Sequence, residues 1–502
     1  MDLLQNLVLG FQTSLSQANL GYAFLGALLG TLIGVLPGLG PIATIAMLLP
    51  SMYTLPPTSA LIMLAGIYYG AQYGGSTTAI LINVPGEASS VVTALDGYQM
   101  ARRGHAGKAL ATAALASFFA GTVGTLVVAA FAPPLTGLAF EFGAPEYCAL
   151  MFLGLVGAVV LASGSLPKAM AMVVLGLLLG QINTDVITAV PRFSFGIPEL
   201  MDGINFTVIA MGIFSFGEII ANLGRPPGQR ETFVRKVTNL MPDKEDFKAA
   251  APATVRGTLL GCLLGVLPGA GPMLASFSSY TIEKKLSKTP QAFGKGAIEG
   301  VAAPEAANNS GAQTSFIPML TLGIPTSAVM ALMVGAMTIM GIQPGPQVMT
   351  ANPSLFWGLV TSMWIGNLML VILNLPLIGI WVRLLTVPYR FLFPAIMAFC
   401  AIGVYSLSNN TFDVYCAAVF AVIGFAFHKL GFEPAPLILG FVLGPMMEEN
   451  LRRALLMARG DWSVFLTRPI AATMIALAIA LMVMIALPAI GKKREAVFVE
   501  QE

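Results

Sequence analysis

Long apolar segments alternate with short polar connections along most of the chain. The segments lie at residues 20–36, 42–49, 109–131, 146–164, 168–183, 204–223, 355–375, 391–407, 413–427, 434–447 and 467–488. Most have the length of a helix that crosses a bilayer, which needs about 20 residues. None shows the repeated ~10-residue alternation of membrane β-barrels. The pattern predicts an all-α polytopic membrane protein.

One short phrase interrupts two of the apolar stretches. Residues 34–41 read GVLPGLGP and residues 265–272 read GVLPGAGP, so every position matches except Leu39 against Ala270. Proline lacks a backbone N–H and glycine frees the backbone, so a helix does not continue through this phrase. Paired interruptions in two halves of a membrane protein point to a transporter's binding site. The phrase therefore predicts paired broken or re-entrant helices.

Two further stretches recur at matching places in the halves. Residues 311–313 (GAQ) align with residues 70–72 (GAQ), and residues 323–326 (GIPT) align with residues 83–86 (NVPG) after a one-residue gap. The repeat thus extends well beyond the interrupting phrase and covers the polar clusters that follow it.

Loop charge gives the two repeats opposite orientations. In the first half the connection after the phrase, 50–57, is uncharged and the later loop, 102–108, is basic. In the second half the basic connection, 283–295, comes first and the uncharged loop, 341–353, follows. Because Lys- and Arg-rich loops stay cytoplasmic, the fold is predicted as an inverted-topology repeat with a pseudo-two-fold axis in the membrane plane.

The same pattern divides the chain into four parts. They are a first inverted half at 1–224, a basic cytoplasmic linker at 225–256, a second half at 257–447 and a C-terminal segment with the last transmembrane helix at 448–502. The side of the C-terminus stays open, because basic residues flank the last segment on both sides. They are Arg452, Arg453, Arg459 and Arg468 before it, and Lys492, Lys493 and Arg494 after it.

Composition excludes several classes of function. Hydrophobic residues make up 56% of the chain and charged residues only 10%, against roughly 25% charged residues in soluble domains. A net charge of +2 argues against a nucleic-acid partner. The four cysteines and two histidines form no ligand constellation, and no nucleophile–base pair or P-loop is present. The sequence predicts neither an enzyme, nor a cofactor, nor a transition-metal site.

The interrupted helices suggest a specific chemistry. N-terminal helix ends suit a carboxylate, and carbonyl groups at C-terminal ends suit a cation. Neither polar cluster, 74–78 nor 308–311, contains Lys or Arg. The charge of an anionic substrate must then be met by helix ends, polar side chains and a co-bound cation. This favours a carrier that co-transports Na⁺ or H⁺ with a carboxylate.

The candidate residues form two groups. The predicted substrate site comprises Pro37, Gly38, Gly40, Ser76, Thr77, Thr78, Pro85, Gly86, Pro268, Gly269, Gly271, Asn308, Asn309, Ser310, Pro325 and Thr326. The predicted cation-coupling residues are Gly75, Asn83, Glu87, Glu305, Asn309 and Gly311. Each has a plainer alternative: glycines serve helix packing, hydroxyls bond back to their own helix, and the glutamates lie at loop edges.

Several motifs together resemble one known family, the large membrane subunit of the tripartite tricarboxylate transporters. They are the doubled GVLPGxGP phrase, YGGSTT at 73–78, VPGE at 84–87, APEAANN at 303–309, GIPT at 323–326, GFVLGPM at 440–446 and EENLRR at 448–453. The resemblance implies a multi-pass secondary transporter of the bacterial inner membrane, importing a carboxylate such as citrate. It also implies a small four-helix membrane subunit and a periplasmic solute-binding protein as partners, and an elevator-like movement by analogy. It does not fix the carboxylate.

Two rival functions remain open from sequence. One is an anion channel, and the other is a structural membrane subunit without a transport path of its own. Both explain the hydrophobicity, but neither explains paired helix interruptions as well as a carrier does.

Overall fold

The computed structural model of this chain describes most of its length. The described residues are 3–36, 40–52, 54–83, 86–161, 165–185, 188, 190–216, 220, 240–267, 271–384, 394, 397–398, 401–402, 404–405 and 409–486. The centres of the repeated phrase, 37–39 and 268–270, and most of the predicted segment 391–407 lie outside these residues.

Helices carry almost all regular structure in the described part of the first half. They are α1 Leu3–Ser14, α2 Gln17–Val35, α3 Pro41–Met52, α4 Pro57–Ile82, α5 Val91–Arg102, α6 Ala106–Ala139, α7 Ala144–Leu161, α8 Leu166–Gly180 and α9 Phe206–Ala210. A π-helical turn, Met211–Phe216, continues α9, and 3₁₀ turns cover Ala88–Ser90 and Pro198–Leu200. A short antiparallel pair joins β1 (Asn183–Thr184) to β2 (Pro191–Arg192). Helix α1 and this pair were not predicted.

The second half is built in the same way. Its helices are α10 Lys244–Leu264, α11 Gly271–Leu286, α12 Glu299–Thr314, α13 Phe316–Leu322, α14 Ala328–Ile339, α15 Gln347–Ala351, α16 Pro353–Asn374, α17 Ile378–Leu384, α18 Thr411–Leu430, α19 Ala435–Met457, α20 Val464–Thr467 and α21 Pro469–Ala486, with a 3₁₀ turn at Pro290–Ala292. The predicted linker, 225–256, is not a loop throughout, since α10 begins within it and crosses its end. The repeated phrase interrupts the helices in both halves: α2 ends at its second residue, Val35, and α10 ends just before it, at Leu264, while α3 and α11 begin at its last residues, Pro41 and Gly271.

Several described helices have the composition of membrane spans. By length and apolar character alone, α2, α6, α16 and α18 could each cross a membrane, and α3, α7, α8, α14 and α21 contain shorter apolar helices. Helix α6, with 34 residues, is about 51 Å long and exceeds the ~30 Å hydrocarbon core. The chain is a multi-pass α-helical membrane protein.

Glycines of α2 pack directly on backbone carbonyls of α4. The pairs are Gly26 with Met63, Gly30 with Ile67 and Gly34 with Ala71. The same contact recurs between α10 and α12, in the pairs Gly257 with Ala303, Gly261 with Ala307 and Gly265 with Gly311. In every pair a Cβ added to the first glycine would lie under 3.0 Å from the carbonyl oxygen, so the helices approach this closely only because the position is glycine. We call the two sets the glycine seams.

The glycine seams give the register of the repeat. Corresponding glycines are 231 residues apart and their carbonyl partners 240 residues apart. The left-handed residues that follow α4 and α13, Asn83 (φ 55°) and Gly323 (φ 72°), keep the same 240-residue spacing. The alignment of 70–72 with 311–313 is therefore wrong by one residue, whereas 83–86 matches 323–326 without a gap.

One end of the molecule brings together basic connections of the two halves. Lys108, at the start of α6, pairs with Asp243 and Asp246 at 2.7 Å each. Asp243 also caps α10, accepting from the backbone N–H groups of Glu245 and Asp246 at 3.0 and 2.9 Å. The backbone of Asp246 and the ammonium of Lys108 lower the pKa of Asp243 from 3.8 to about 2. The linker is thus fixed to the first half at its helical end.

Asp96 of α5 makes a second link at this end. Its buried carboxylate accepts from the backbone N–H groups of Gly296 and Ala297, at 2.7 and 2.8 Å, and from the Tyr280 hydroxyl at 2.9 Å. All three donors belong to the second half, in or beside the basic connection 283–295. The first-half loop 102–108 and this connection therefore lie on the same side of the molecule.

Arginines of the C-terminal segment lie at the opposite end, which α6 reaches. Arg468 pairs at 2.8 Å with Glu146, close after the end of α6, and Arg452 pairs at 2.8 Å with Asp185, after the end of α8. Arg192 pairs with Glu448 at 2.9 Å and also contacts Asp185, the partner of Arg452. The carboxylates of Glu448 and Asp185 raise the pKa of Arg192. Each of these three arginines is therefore paired with a carboxylate.

Candidate functional site

Buried polar side chains from both halves meet where α4, α5 and α6 pack against α12. Glu305, in the interior of α12, is 0% exposed. Its Oε2 accepts hydrogen bonds from the hydroxyls of Ser76 (2.7 Å) and Ser117 (3.3 Å), and its Oε1 accepts from Thr93 (2.5 Å). A single carboxyl group of the second half thus binds three helices of the first.

The sequence of α12 explains how three helices come so close. Apart from Glu305 and a few amides, it consists mainly of alanine, glycine and serine (EGVAAPEAANNSGAQT). Small side chains let neighbouring helices approach, so that short hydroxyl side chains reach the carboxyl group. Pro304 lies inside the helix and supplies no backbone N–H, which leaves one carbonyl of the preceding turn without its usual donor.

Asn309 extends the cluster by one helical turn. Its amide nitrogen donates to the Ser117 hydroxyl at 2.7 Å and to the backbone carbonyl of Glu305 at 3.0 Å. Ser117 therefore accepts from Asn309 and donates to the carboxyl group. The predicted residues Ser76, Glu305 and Asn309 belong to one hydrogen-bonded network.

A second carboxyl group, that of Glu87, adjoins this network. The Ser89 hydroxyl donates to it and also lies 3.1 Å from the amide oxygen of Gln72. The amide nitrogen of Asn308 lies 3.3 Å from Glu87 Oε1, while the buried amide oxygen of Asn308 has no partner among the described residues. Because Asn308 and Asn309 are consecutive, the two carboxyl clusters are neighbours. We call them together the polar centre.

Two predicted glycines have a packing explanation beside this centre. A Cβ on Gly75 would lie 3.0 Å from Glu87 Cγ, so the missing side chain makes room for the glutamate. A Cβ on Gly86 would lie 2.6 Å from Gly75 Cα and close to the carbonyl oxygen of Gly34. Both glycines are required by close backbone contact, and a ligand role for them stays a prediction.

Other predicted residues face the glycine seams instead. The Ser310 hydroxyl donates to Ala306 O at 2.8 Å and lies against Gly261, and the Thr78 hydroxyl donates to Gly75 O at 2.8 Å. Gly311 belongs to the second seam itself. These contacts match the plainer alternative, in which hydroxyls bond back to their own helix.

The remaining predicted residues lie near the ends of helices. Gly271 begins α11 with φ +28°, and Asn83 follows α4 in the left-handed region. Gly40 precedes α3, and a Cβ there would meet nothing within 4 Å. Thr326 is buried, and its hydroxyl has no partner among the described residues. Pro325 is also buried, while Pro37, Gly38, Pro85, Pro268 and Gly269 lie outside the described residues.

A small cavity opens beside Glu305. Its lining includes Tyr73, Ser76, Thr77, Ser117, Glu305 and Asn374. The amide oxygen of Asn374 is buried without a partner among the described residues, and the Tyr73 hydroxyl donates to Asn367 at 2.8 Å. The cavity places this unpaired amide oxygen and the carboxyl group of Glu305 in the lining of one space.

The polar centre has two carboxyl groups and no cation. Among the ion pairs of the described residues none involves Glu87 or Glu305. The described residues also contain no group of three or more His, Cys, Asp and Glu side chains that could hold a metal ion. The centre can take up positive charge, as a proton or as a small cation held by oxygen atoms.

Sequence reasoning missed several residues of the centre. Thr93, Ser117 and Asn374 are each one of several polar residues in their helices, and no local pattern marks them. Gln72 belongs to the GAQ stretch, whose alignment with 311–313 is out of register by one residue, so the repeat does not mark it. Ser89 lies two residues after Glu87, in the 3₁₀ turn that Glu87 caps, where a hydroxyl often bonds to the residue that begins the turn.

Comparison with known proteins gives consistent similarities. A model of the tripartite tricarboxylate transporter TctA family matches residues 20–439. An uncharacterized 52.8 kDa protein in the TAR-I ttuC' 3' region of Agrobacterium vitis is 60% identical over 502 residues, which is 100% of both chains. An uncharacterized protein in the TAR-II ttuC' 3' region of the same organism is 61% identical over 237 residues, 47% of this chain and 98% of that one. No solved structure matches.

Proposed function

This chain belongs to the tripartite tricarboxylate transporter TctA family, and on that premise we propose that it imports a carboxylate by cation-coupled symport. It would act in the bacterial inner membrane with a small four-helix membrane subunit. A periplasmic solute-binding protein would supply the carboxylate, which we expect to be tricarboxylate-like.

The observation that carries this proposal is the polar centre. It is buried in the interior of the protein, receives side chains from both halves and contains two carboxyl groups without an ion pair among the described residues. An anion would not enter such a site alone, because its charge would add to that of the glutamates. A cation bound in the same state offsets this cost and couples the two fluxes.

We assign the two predicted groups of residues to these two ligands. The substrate would contact the ends of the broken helices together with Ser76, Thr77, Asn308 and Asn309. The cation, Na⁺ or H⁺, would act at Glu305 and Glu87. Thr77 and Ser76 line the cavity beside Glu305, and Asn308 keeps one amide oxygen unpaired among the described residues. Both observations support a ligand at this place.

The contacts at the two ends support the inverted repeat. Basic connections at non-corresponding positions of the halves, 102–108 and 283–295, lie on one side of the molecule. At the other side the start of α16, after the uncharged loop 341–353, meets the first half: a Cβ on Gly358 would contact Thr13 and Thr58. Two halves inserted in opposite directions would give this distribution.

The test is transport by the full complex in sealed vesicles. The chain is reconstituted with its small subunit and binding protein, and uptake of labelled citrate, tricarballylate and succinate is measured under imposed Na⁺ or pH gradients. Asn309→Ala should lose most of the uptake. Asn19→Ala is the matched control, because Asn19 is also buried and hydrogen-bonded, to Ser59 and Thr13, but lies far from the polar centre.

The results separate the rivals. A carrier shows counterflow and concentrates its substrate, whereas an anion channel shows neither. A structural subunit predicts normal uptake by Asn309→Ala and Gly271→Leu when both variants insert. If Asn309→Ala and Asn19→Ala lose uptake equally at equal expression, the polar centre is not the transport site.

A further inference from the structure

The geometry around Glu305 assigns the coupling ion: we propose that Glu305 carries a proton, and that proton release and uptake at this carboxyl group drive import. This inference rests on the proposed symport function and specifies its cation. It follows from the hydrogen bonds, the space and the charges around one side chain.

The hydroxyl group of Ser76 has more neighbouring acceptors than hydrogens. Ser76 has one, yet its oxygen lies 3.0 Å from Gln72 O and 2.7 Å from Glu305 Oε2. If Ser76 donates to the carbonyl group of its own helix, the short contact to Glu305 needs a hydrogen from the carboxyl group. A protonated Glu305 would donate through Oε2 to Ser76, the reverse of the direction that holds for an ionised carboxylate, and would still accept from Ser117 and Thr93.

The hydroxyl oxygens lie close to the carboxyl oxygens of Glu305. The oxygen atoms of Ser76 and Thr93 lie 2.7 and 2.5 Å from the carboxyl oxygens, which are hydrogen-bond distances. Hard cations hold each oxygen ligand about 2.0–2.6 Å from the metal, so two oxygens that share one at a right angle are about 3 Å apart or more. The hydroxyls are therefore too close to the carboxyl oxygens of Glu305 to share Na⁺ with them in this arrangement.

The helices packed against α12 place few ionisable groups beside Glu305. The titratable groups beside Glu305 are Tyr73, which lines the same cavity, and Glu87, whose cluster adjoins it through Asn308 and Asn309. Several charged groups elsewhere on these elements have other partners. They are Asp96 with Tyr280, Arg256 with Glu283, and Lys108 with Asp243 and Asp246, while the thiol of Cys262 lies toward Ser310. Glu305 thus faces an acid and a phenol and no cation of the described residues, which favours its neutral form.

The cavity beside Glu305 is a place where a water molecule can meet the carboxyl group. It touches the carboxyl group and the hydroxyls of Ser76, Thr77 and Ser117, which can bond to water. On the side of release, the carboxyl O–H bond breaks and the proton passes to a water molecule, leaving a carboxylate and a hydronium ion. On the side of uptake, hydronium returns the proton and the neutral acid forms again, so that atoms and charge balance.

A direct test uses infrared spectroscopy on the purified complex, without any substrate. Wild type at neutral pH should show the carbonyl stretch of a buried carboxylic acid, which Glu305→Gln lacks. Glu449→Gln is the control, because Glu449 is half exposed and pairs with Arg453, and it should keep the band. If Glu305→Gln leaves the acid band unchanged, Glu305 is ionised and the inference is overturned.

A second variant covers the case in which Glu305→Gln does not insert. Thr93→Val keeps the shape of the side chain but removes a hydroxyl donor that stabilises the ionised carboxylate. In a pH titration the acid band of this variant should persist to higher pH than that of wild type. A band that titrates as in wild type, or at lower pH, counts against Glu305 as its source.

The transport arm distinguishes this inference from the proposed function. Labelled citrate should accumulate in wild-type vesicles under a pH gradient without Na⁺, and its entry should make the medium alkaline. Glu305→Gln should lose pH-driven accumulation to a greater extent than counterflow, whereas a purely structural role would reduce both equally. Accumulation by a Na⁺ gradient alone overturns the proton assignment and leaves symport intact, while absence of wild-type counterflow overturns the proposed function itself.

Discussion

The glycine seams give the sharpest prediction about stability. Gly30→Ala should destabilise the protein strongly, because the new Cβ would lie 2.8 Å from Ile67 Cα and against the neighbouring carbonyl group. Ordinary contact begins at 3.4 Å, so α2 and α4 must separate there by about 0.6 Å or more. The obstacle is backbone, so no side chain can rotate out of the way. Gly261→Ala should behave alike, since its Cβ would meet Ala307 Cα at 2.8 Å.

The expected change in the free energy of unfolding can be compared with that of a control substitution in the same helix. Overpacking costs about 1–3 kcal/mol, and we expect about 2–3 kcal/mol here because the clash is with backbone. Gly21, also in α2, would have nothing within 4 Å of an added Cβ. Gly21→Ala should therefore gain up to about 1 kcal/mol from helix propensity. The two substitutions, identical in chemistry, should differ by about 3 kcal/mol.

The assay is reversible unfolding in mixed micelles, with helix content followed by circular dichroism as the denaturing detergent increases. Wild type, Gly21→Ala, Gly30→Ala and Gly261→Ala are compared at equal protein concentration. Equal midpoints for Gly21→Ala and Gly30→Ala would refute the close packing of α2 on α4. A large loss for Gly30→Ala with none for Gly261→Ala would refute the equivalence of the seams.

Further predictions concern the charged links. Asp96→Ala leaves three donors unpaired and should cost about 3 kcal/mol or more, against about 1 kcal/mol for Tyr280→Phe, measured as shifts of the unfolding midpoint. Stability from Asp243 should be complete above its ordinary pKa of 3.8 and lost as pH falls through about 2; Asp243→Asn should then match wild type in strong acid and differ from it at neutral pH. Asp185→Asn, which weakens contacts to two arginines, should lower the melting temperature more than Arg453→Ala, whose exposed ion pair is worth under about 1 kcal/mol.

Much of the fold could be predicted from sequence because the membrane imposes simple rules. Apolar length indicated most helices, and the repeated phrase marked where α2 and α10 end. The family resemblance is confirmed by the match over residues 20–439. Helix α1 was missed, and α10 begins among charged residues that suggested a loop, since the capping box at Asp243 starts a helix that apolar composition does not indicate.

The site was predicted in part, for a physical reason. Glu305, Glu87 and the two asparagines attract attention because polar groups are costly in lipid. Thr93 and Ser117 each look like an ordinary hydroxyl that bonds to its own helix, and only the packing of α5 and α6 on α12 brings them to Glu305. The register of the repeat also needed the structure, because the seams depend on which carbonyl each glycine touches.

The two halves differ in how far their connections allow consecutive helices to separate. Four residues, 53–56, join α3 to α4, whereas twelve residues, 287–298, join α11 to α12. At no more than ~3.6 Å per residue these tethers span about 14 and 43 Å at full stretch. The short connection keeps the end of α3 within about 14 Å of the start of α4. The connection between α11 and α12 is longer, and it is held near its end by hydrogen bonds from the backbone N–H groups of Gly296 and Ala297 to the buried carboxylate of Asp96.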